Sequence, residues 1–210
     1  MVDKTDPTTL LATFGLSEFR PGQREVVDAV AAGEDVMCVM PTGGGKSLCY
    51  QLPSLSKQGT TIVVSPLIAL MKDQVDGLKR LGIRASLINS SLSAVEQTEV
   101  LSEMASGNLN LVYVAPERLR NSRFLDAISD VDINLLAIDE AHCVSQWGHD
   151  FRPDYSRLTE IRTLLGEPTT IALTATATAE CRIDIYRQLG IPEDQIQLFH
   201  EGIDRPNLTL

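Results

Sequence analysis

The stretch Met40-Pro41-Thr42-Gly43-Gly44-Gly45-Lys46-Ser47 constrains this chain more than any other. Three consecutive glycines tolerate positive φ and carry no Cβ, so successive N–H groups can turn inward and cradle anionic oxygens. Upstream, Asp35 to Val39 reads as a short buried strand, and Lys46 to Leu55 reads as a helix ending near Pro53 to Ser56. A glycine loop between a strand and a helix start is a phosphate site of the P-loop kind. In that reading Thr42, Gly43, Gly44 and Gly45 wrap a triphosphate, Lys46 reaches the β- and γ-phosphates, and the Ser47 hydroxyl ligates Mg²⁺. The pattern has a glycine five residues before Gly45, where this chain has Met40. Gly43 to Gly45 supply the flexibility for the loop to close. Stripped of its strand and helix, the same run would read as a turn with a solvated lysine.

A chain of 210 residues fits one large α/β domain with a sizeable core. Its 43% hydrophobic and 22% charged content is ordinary for a globular protein. The net charge of −10 argues against a broadly basic duplex-binding module, so any nucleic-acid affinity must be local, weak, or shared with something else. Cys38, Cys49, Cys143 and Cys181 show no CxxC spacing, which argues for reduced, packed thiols and against a zinc clip. The N-terminal residues lack the apolar core of a secretory signal, and no stretch has the length of a membrane span. A cytoplasmic or, in a eukaryote, nuclear protein that is not secreted is the expectation.

Taken in order, Thr8 to Phe14 reads as a short helix stopped at Gly15, and a second helix starts near Pro21 and stops before Gly33. Short β-rich runs follow at Thr61 to Val64, Ala85 to Ile88, Leu111 to Val114, Leu135 to Ile138, Thr170 to Leu173 and Gln195 to Phe199. Between them lie helical segments at Leu67 to Leu81, Ala94 to Ala105 and Ala179 to Leu189. Strands alternating with helices predict an α/β fold with a mostly parallel central sheet and helices on both faces. Ligands of such sheets bind at the carboxyl ends of the strands.

The second chemical signal is Leu135-Leu136-Ala137-Ile138-Asp139-Glu140-Ala141-His142. An apolar strand delivers two adjacent carboxylates to the sheet edge. Asp139 suits a Mg²⁺ shell, since magnesium takes hard oxygen ligands and keeps several waters. Glu140 suits a general base that polarises the attacking water. An Asp-Glu pair by itself is ordinarily a solvated helix start, and it is the P-loop upstream that gives this pair its chemical meaning.

Several runs together resemble the RecQ family of DNA helicases: Phe14 to Gln23, the P-loop, Ser65 to Gln74, Tyr113 to Arg118, Asp139 to Pro153 and Ala172 to Ala177. The resemblance covers essentially the whole chain, and the aromatic-rich run Gln146-Trp147-Gly148-His149-Asp150-Phe151-Arg152 is the part specific to that family. It implies a RecA-like P-loop domain, residues 1–204, with residues 205–210 starting a linker to a second RecA-like domain. It implies ATP and Mg²⁺ as cofactors, without zinc in this stretch, and adenine held by Arg20 and Gln23. A guanidinium plane stacks on a base and a glutamine amide matches the adenine edge.

The resemblance also makes Gln146, Trp147, His149, Phe151 and Arg152 a sensor of single-stranded DNA, with bases stacking on the aromatic faces. Thr174 and Thr176, with His142, would link nucleotide state to DNA binding. Ser65 to Leu70 follows a strand and opens a helix, so its N–H groups could hold a DNA backbone phosphate or simply cap that helix, and Tyr113 to Arg118 resembles a strand-tracking motif. The implied activity is ATP-dependent 3′ to 5′ translocation and duplex unwinding, with the second domain supplying an arginine finger in cis. Asp204-Arg205-Pro206-Asn207-Leu208 resembles the lead-in to that domain. An arginine finger is worth about 10³ to 10⁵ in turnover in related machines, so these 210 residues alone, expected as a monomer, should hydrolyse ATP poorly and unwind nothing. Two other readings stand beside it: a nucleotide-responsive binding module without a catalytic cycle, and an RNA motor of the DEAH-box type.

Overall fold

The central segments are apolar at nearly every position rather than at alternate ones, which requires strands covered on both faces. The computed structural model describes residues 7–200. The Asp204 to Leu208 run lies outside the described residues. Among the described residues seven strands form one sheet: β1 (Asp35–Val39), β2 (Thr60–Val64), β3 (Ala85–Ile88), β4 (Leu111–Val114), β5 (Ile133–Ile138), β6 (Thr169–Thr174) and β7 (Ile196–His200). Their spatial order is β3-β4-β2-β5-β6-β1-β7, and every pairing is parallel. All strand carboxyl ends therefore open on one edge.

The helices are α1 (Pro7–Leu11), α2 (Gln23–Ala32), α3 (Leu48–Gln51), α4 (Pro53–Ser56), α5 (Ile68–Arg80), α6 (Ala94–Ala105), α7 (Ser122–Ile128), α8 (Leu158–Leu164) and α9 (Ala179–Leu189). The period-two alternation of the strands divides the core. Val36 and Cys38 face α2, α3 and α5 through Val26, Val30, Tyr50 and Met71. Met37 and Val39 face the other way, toward the layer holding Met104, Phe124, Ile161 and Ile185 of α6 to α9. Buried apolar area at about 25 cal/mol per Å² is what holds such layers together.

The helix after the P-loop differs from the sequence expectation. It starts at Leu48 rather than Lys46 and is split into α3 and α4. Leu52 keeps helical backbone angles, φ −71° and ψ −48°, but Pro53 has no N–H to continue the ladder. The sequence reading also passed over α7 and α8. The start of α7 is marked by Asn121, whose side chain accepts from the Phe124 N–H at 3.0 Å.

Asp35 ties three elements at the opposite end of the sheet. It accepts from Thr170 N on β6 at 2.7 Å and pairs with Arg162 of α8 at 2.9 Å, both partners largely buried. At the functional edge the β1/β6 ladder runs one step further, with Met40 N donating to Thr174 O at 3.0 Å. The P-loop thus leaves the sheet already bonded to the end of β6.

Candidate active site

The glycine loop closes through a turn in which Gly44 N donates to Pro41 O at 2.9 Å. Gly43 and Gly45 take φ of 82° and 83°, the left-handed region that side chains avoid. Met40 explains its own departure from the pattern: it is buried, and its side chain fills the space beneath Gly44, where a Cβ would collide with it. Among the described residues, the N–H groups of Gly43, Gly45, Lys46 and Ser47 meet no acceptor within the protein. Four such donors beside a lysine suit phosphate oxygens. The Lys46 ammonium donates to Met40 O at 3.2 Å, so it lies across the mouth of its own loop.

Arg20 and Gln23 both touch this loop. The Gln23 amide is buried, accepts from Arg20 N at 2.7 Å, and donates to Gly45 O at 3.0 Å and Gly44 O at 3.3 Å. The Arg20 guanidinium donates to Gly43 O. The two side chains assigned to adenine by resemblance therefore brace the loop carbonyls here, while Thr42 is exposed.

Asp139 leaves β5 with its N–H on Val64 O at 2.8 Å. Its carboxylate accepts from Glu140 N at 3.0 Å and from the Ser65 hydroxyl at 3.4 Å. Burial, reinforced by the neighbouring Glu140 charge, pushes its pKa up to about 6. Glu140 has φ 49°, an uncommon conformation for a side-chain-bearing residue, which turns the chain into the 3₁₀ turn Ala141–Val144. A cleft of about 270 Å³ is lined by Gly43, Gly45, Lys46, Ser47, Asp139 and Glu140, with Gln74 and Tyr113 among its other walls. Loop and acid pair, far apart in sequence, share one opening.

A chain of hydrogen bonds leads from the acids to β6. His142 Nδ1 lies 3.3 Å from Glu140 Oε2 and 3.0 Å from Thr174 Oγ1. Burial, with the adjacent His149, lowers the His142 pKa, so the ring is neutral near pH 7. The Thr174 hydroxyl spends its proton on Thr176 O at 3.0 Å, so the Nδ1 contact requires the proton on His142, shared toward Glu140 and Thr174. Thr174 is thus bonded to the glycine loop through its backbone and to the acid-pair turn through its side chain.

His142 also stacks on His149, ring centroids 4.0 Å apart at 15°. That contact opens the aromatic loop. Trp147 is 75% exposed and Phe151 38%, with Gln146 and His149 also at the surface. Arg152 pairs with Asp150 at 3.0 Å and donates to Pro66 O at 3.3 Å, joining the loop to the segment after β2. Gly148 lies against the turn so closely that a Cβ there would run into His142 O.

Sequence reasoning missed the floor of the cleft. Gln51 of α3 donates to Gln74 of α5 at 2.8 Å and to the Tyr113 hydroxyl at 2.9 Å, and Tyr50 OH lies 3.3 Å from Tyr113 OH. The network joins the phosphate-side helix α3 to α5 and to β4. Its signal was available as polar residues inside otherwise apolar helical and strand runs. Asp184, on the apolar face of α9, was missed for the same reason. Among the described residues no cluster of three or more His, Cys, Asp or Glu is placed to hold a metal. Ser47 and Asp139 alone fit the sparse protein ligation that magnesium accepts.

The chain is similar to known proteins in sequence and in fold. The family model for the DEAD/DEAH box helicase matches residues 20–183. The chain belongs to the DEAD/DEAH box helicase family. Within it, the sequence fits the first RecA-like domain of RecQ helicases. It is 47% identical to the ATP-dependent DNA helicase RecQ of Pasteurella multocida, over 95% of this chain and 31% of that protein. Against the ATP-dependent DNA helicase RecQ of Bacillus subtilis it is 50% identical, over 93% of this chain and 33% of that one. The chain spans about a third of the length of the curated relatives it matches. In fold this helicase domain resembles the DUF1998 helicase MrfA bound to DNA, with TM-score 0.73 and 22% identity over 96% of this chain and 28% of that one. It also resembles the Hef helicase domain of Pyrococcus furiosus, with TM-score 0.66 and 24% identity over 90% of this chain and 39% of that one.

Proposed function

We propose that this domain is the nucleotide-binding half of an ATP-driven DNA helicase motor. The observation that carries the reading is the convergence of Lys46, Ser47, Asp139 and Glu140 on one cleft, with Thr174 bonded to both sides of it. ATP is the substrate: the free loop N–H groups and Lys46 hold its phosphates, and Arg20 and Gln23 exchange the loop carbonyls they brace for its adenine. A magnesium ion held by Ser47 and Asp139 would neutralise charge developing on the phosphates. Glu140 orients and deprotonates the attacking water, with His142 holding its carboxylate in place.

Single-stranded DNA meets Trp147, Phe151, His149, Gln146 and Arg152. The stacked His142 and His149 carry that contact back to the acid pair, and Thr174 and Thr176 carry it to the glycine loop. A second RecA-like domain in cis completes the ATP site, and its opening and closing drive 3′ to 5′ translocation and unwinding. We assign the domain to the compartment that holds the chromosome, as a monomer free of membranes. No helix among the described residues is long and apolar enough to cross a membrane.

In the full-length protein, Lys46→Ala should abolish both ATP hydrolysis and strand separation on DNA duplexes. Normal turnover in that variant would contradict the reading. Unwinding of RNA but not DNA duplexes by the wild type would replace it with an RNA motor.

A further inference from the structure

The aromatic loop is exposed at its tip, so something must fix its root. Trp147 and Phe151 face solvent, and the Arg152–Asp150 pair lies within the loop itself. At the root stands a carboxylate from a distant part of the chain. Asp184, on the second turn of α9, is only 7% exposed. One of its oxygens, Oδ2, accepts from the Ser145 hydroxyl at 2.8 Å and from Gln146 N at 3.1 Å. The Ser145 hydroxyl in turn accepts from Trp147 N at 3.0 Å. Ser145 is fully buried, so no water competes for these bonds. Hydrogen bonds to an ionised, largely buried acceptor are among the stronger ones.

The other contacts of Asp184 show what it is not. Among the described residues its one ionic neighbour is Arg187, whose nearest nitrogen is 3.9 Å away on a side chain 74% exposed. A carboxylate placed for helix stability would sit at the solvent face or the first turn. This one points into the domain between Cys181 and Ile185, where an apolar residue would cost less.

We propose that Asp184 is the positioning residue of the aromatic loop, holding its first three residues so that Trp147 is presented in one place. The functional half of this inference rests on the reading of the loop as the DNA sensor. The 3₁₀ turn Ala141–Val144 is then gripped at both ends by one unit, β6 with α9. Thr174 takes His142 at its start, and Asp184 takes Ser145 just past its end. Movement of α9 relative to the acid pair is transmitted to Trp147 through two hydrogen bonds.

The test uses the full-length protein and two readouts. Hydrogen exchange at the Gln146 and Trp147 amides reads the anchoring without reference to DNA. ATP hydrolysis with and without a single-stranded oligonucleotide reads the function. In Asp184→Ala the Gln146 amide, which loses its charged acceptor, should exchange roughly tenfold or more faster, and the Trp147 amide, whose Ser145 acceptor loses its anchor, should exchange faster as well. Basal hydrolysis should stand, while the oligonucleotide concentration giving half-maximal stimulation rises by about tenfold for the same free-energy reason. Asp184→Asn keeps a carbonyl oxygen for the same donors and should restore most of both readouts. Ser145→Ala should release Trp147 N and leave Gln146 N protected, and it serves as the probe if Asp184→Ala fails to fold.

Unchanged exchange in Asp184→Ala would overturn the anchoring. Faster exchange with an unaltered DNA response would overturn the positioning role, as would equal loss of basal and stimulated hydrolysis. A Trp147→Ala control whose DNA stimulation is intact would instead overturn the sensor reading itself, whatever Asp184 does.

Discussion

Asp139 holds its charge where charge is costly. Burial and the adjacent Glu140 raise its pKa from 3.8 to about 6, against the opposing pull of Glu140 N, Lys46 and Ser65. A carboxyl whose folded value lies above the unfolded one binds its proton more tightly in the folded state. Raising the pH from the unfolded value through 6 therefore removes stability, and the full penalty is present above that window. Asp139→Asn should then stabilise the domain at pH 7.5 by on the order of 1 to 3 kcal/mol, with the difference vanishing below about pH 4. Urea unfolding at the two pH values measures it, and the same variant should lose Mg²⁺-dependent nucleotide binding. Gly148 is set by space rather than charge. Gly148→Ala drives a methyl into His142 O, and should cost on the order of 1 to 3 kcal/mol as overpacking does. Because Trp147 is the sole tryptophan, its emission should shift in that variant, which a fluorescence spectrum reads directly.

Among the elements, those whose sequence carries a local reason were legible. The strands were readable because parallel strands buried on both faces are short, continuous apolar runs, and β3, β1 and β4 have the boundaries their runs suggest. Helix α6 was equally plain: Ser93 and Glu96 form a reciprocal capping box, with Ser93 N to the Glu96 carboxylate at 2.7 Å. Helix α8 had no such mark, since Arg157 before it makes no side-chain cap, and its seven residues give too few turns for a periodic signal. What fixes α8 is non-local, the largely buried pair of Arg162 with Asp35 on β1. Arg162→Met removes one partner of that pair and should cost about 3 kcal/mol or more, because Asp35 keeps its charge at a site where burial already raises its pKa. A drop in urea midpoint at unchanged slope would confirm the magnitude; a neutral result would mean the pair is solvated.

For the whole molecule, each half of the site was legible from residue types, but their meeting was not. Strand order is a property of the folded sheet: β6 lies between β1 and β5, which sets the loop and the acid pair two strand spacings apart, roughly 10 Å. From sequence, Thr174 was a strand-end threonine whose linking role came only from resemblance. In the fold it is the residue common to both halves, and Tyr113 and Gln74 close the floor between them. The acidic balance of the chain fits this picture, since the features assigned to DNA are aromatic and local rather than a basic face. The central claim is that one cleft binds Mg²⁺-ATP through Lys46 and hydrolyses it through Glu140. The measurement that tests it most directly is Mg²⁺-ATP affinity together with single-turnover hydrolysis in the full-length protein, for Lys46→Ala and Glu140→Gln side by side. Lys46→Ala should lose nucleotide binding, while Glu140→Gln should keep it and lose about 10²- to 10⁴-fold in hydrolysis. Hydrolysis at the wild-type rate in Glu140→Gln, or full nucleotide affinity in Lys46→Ala, would contradict it.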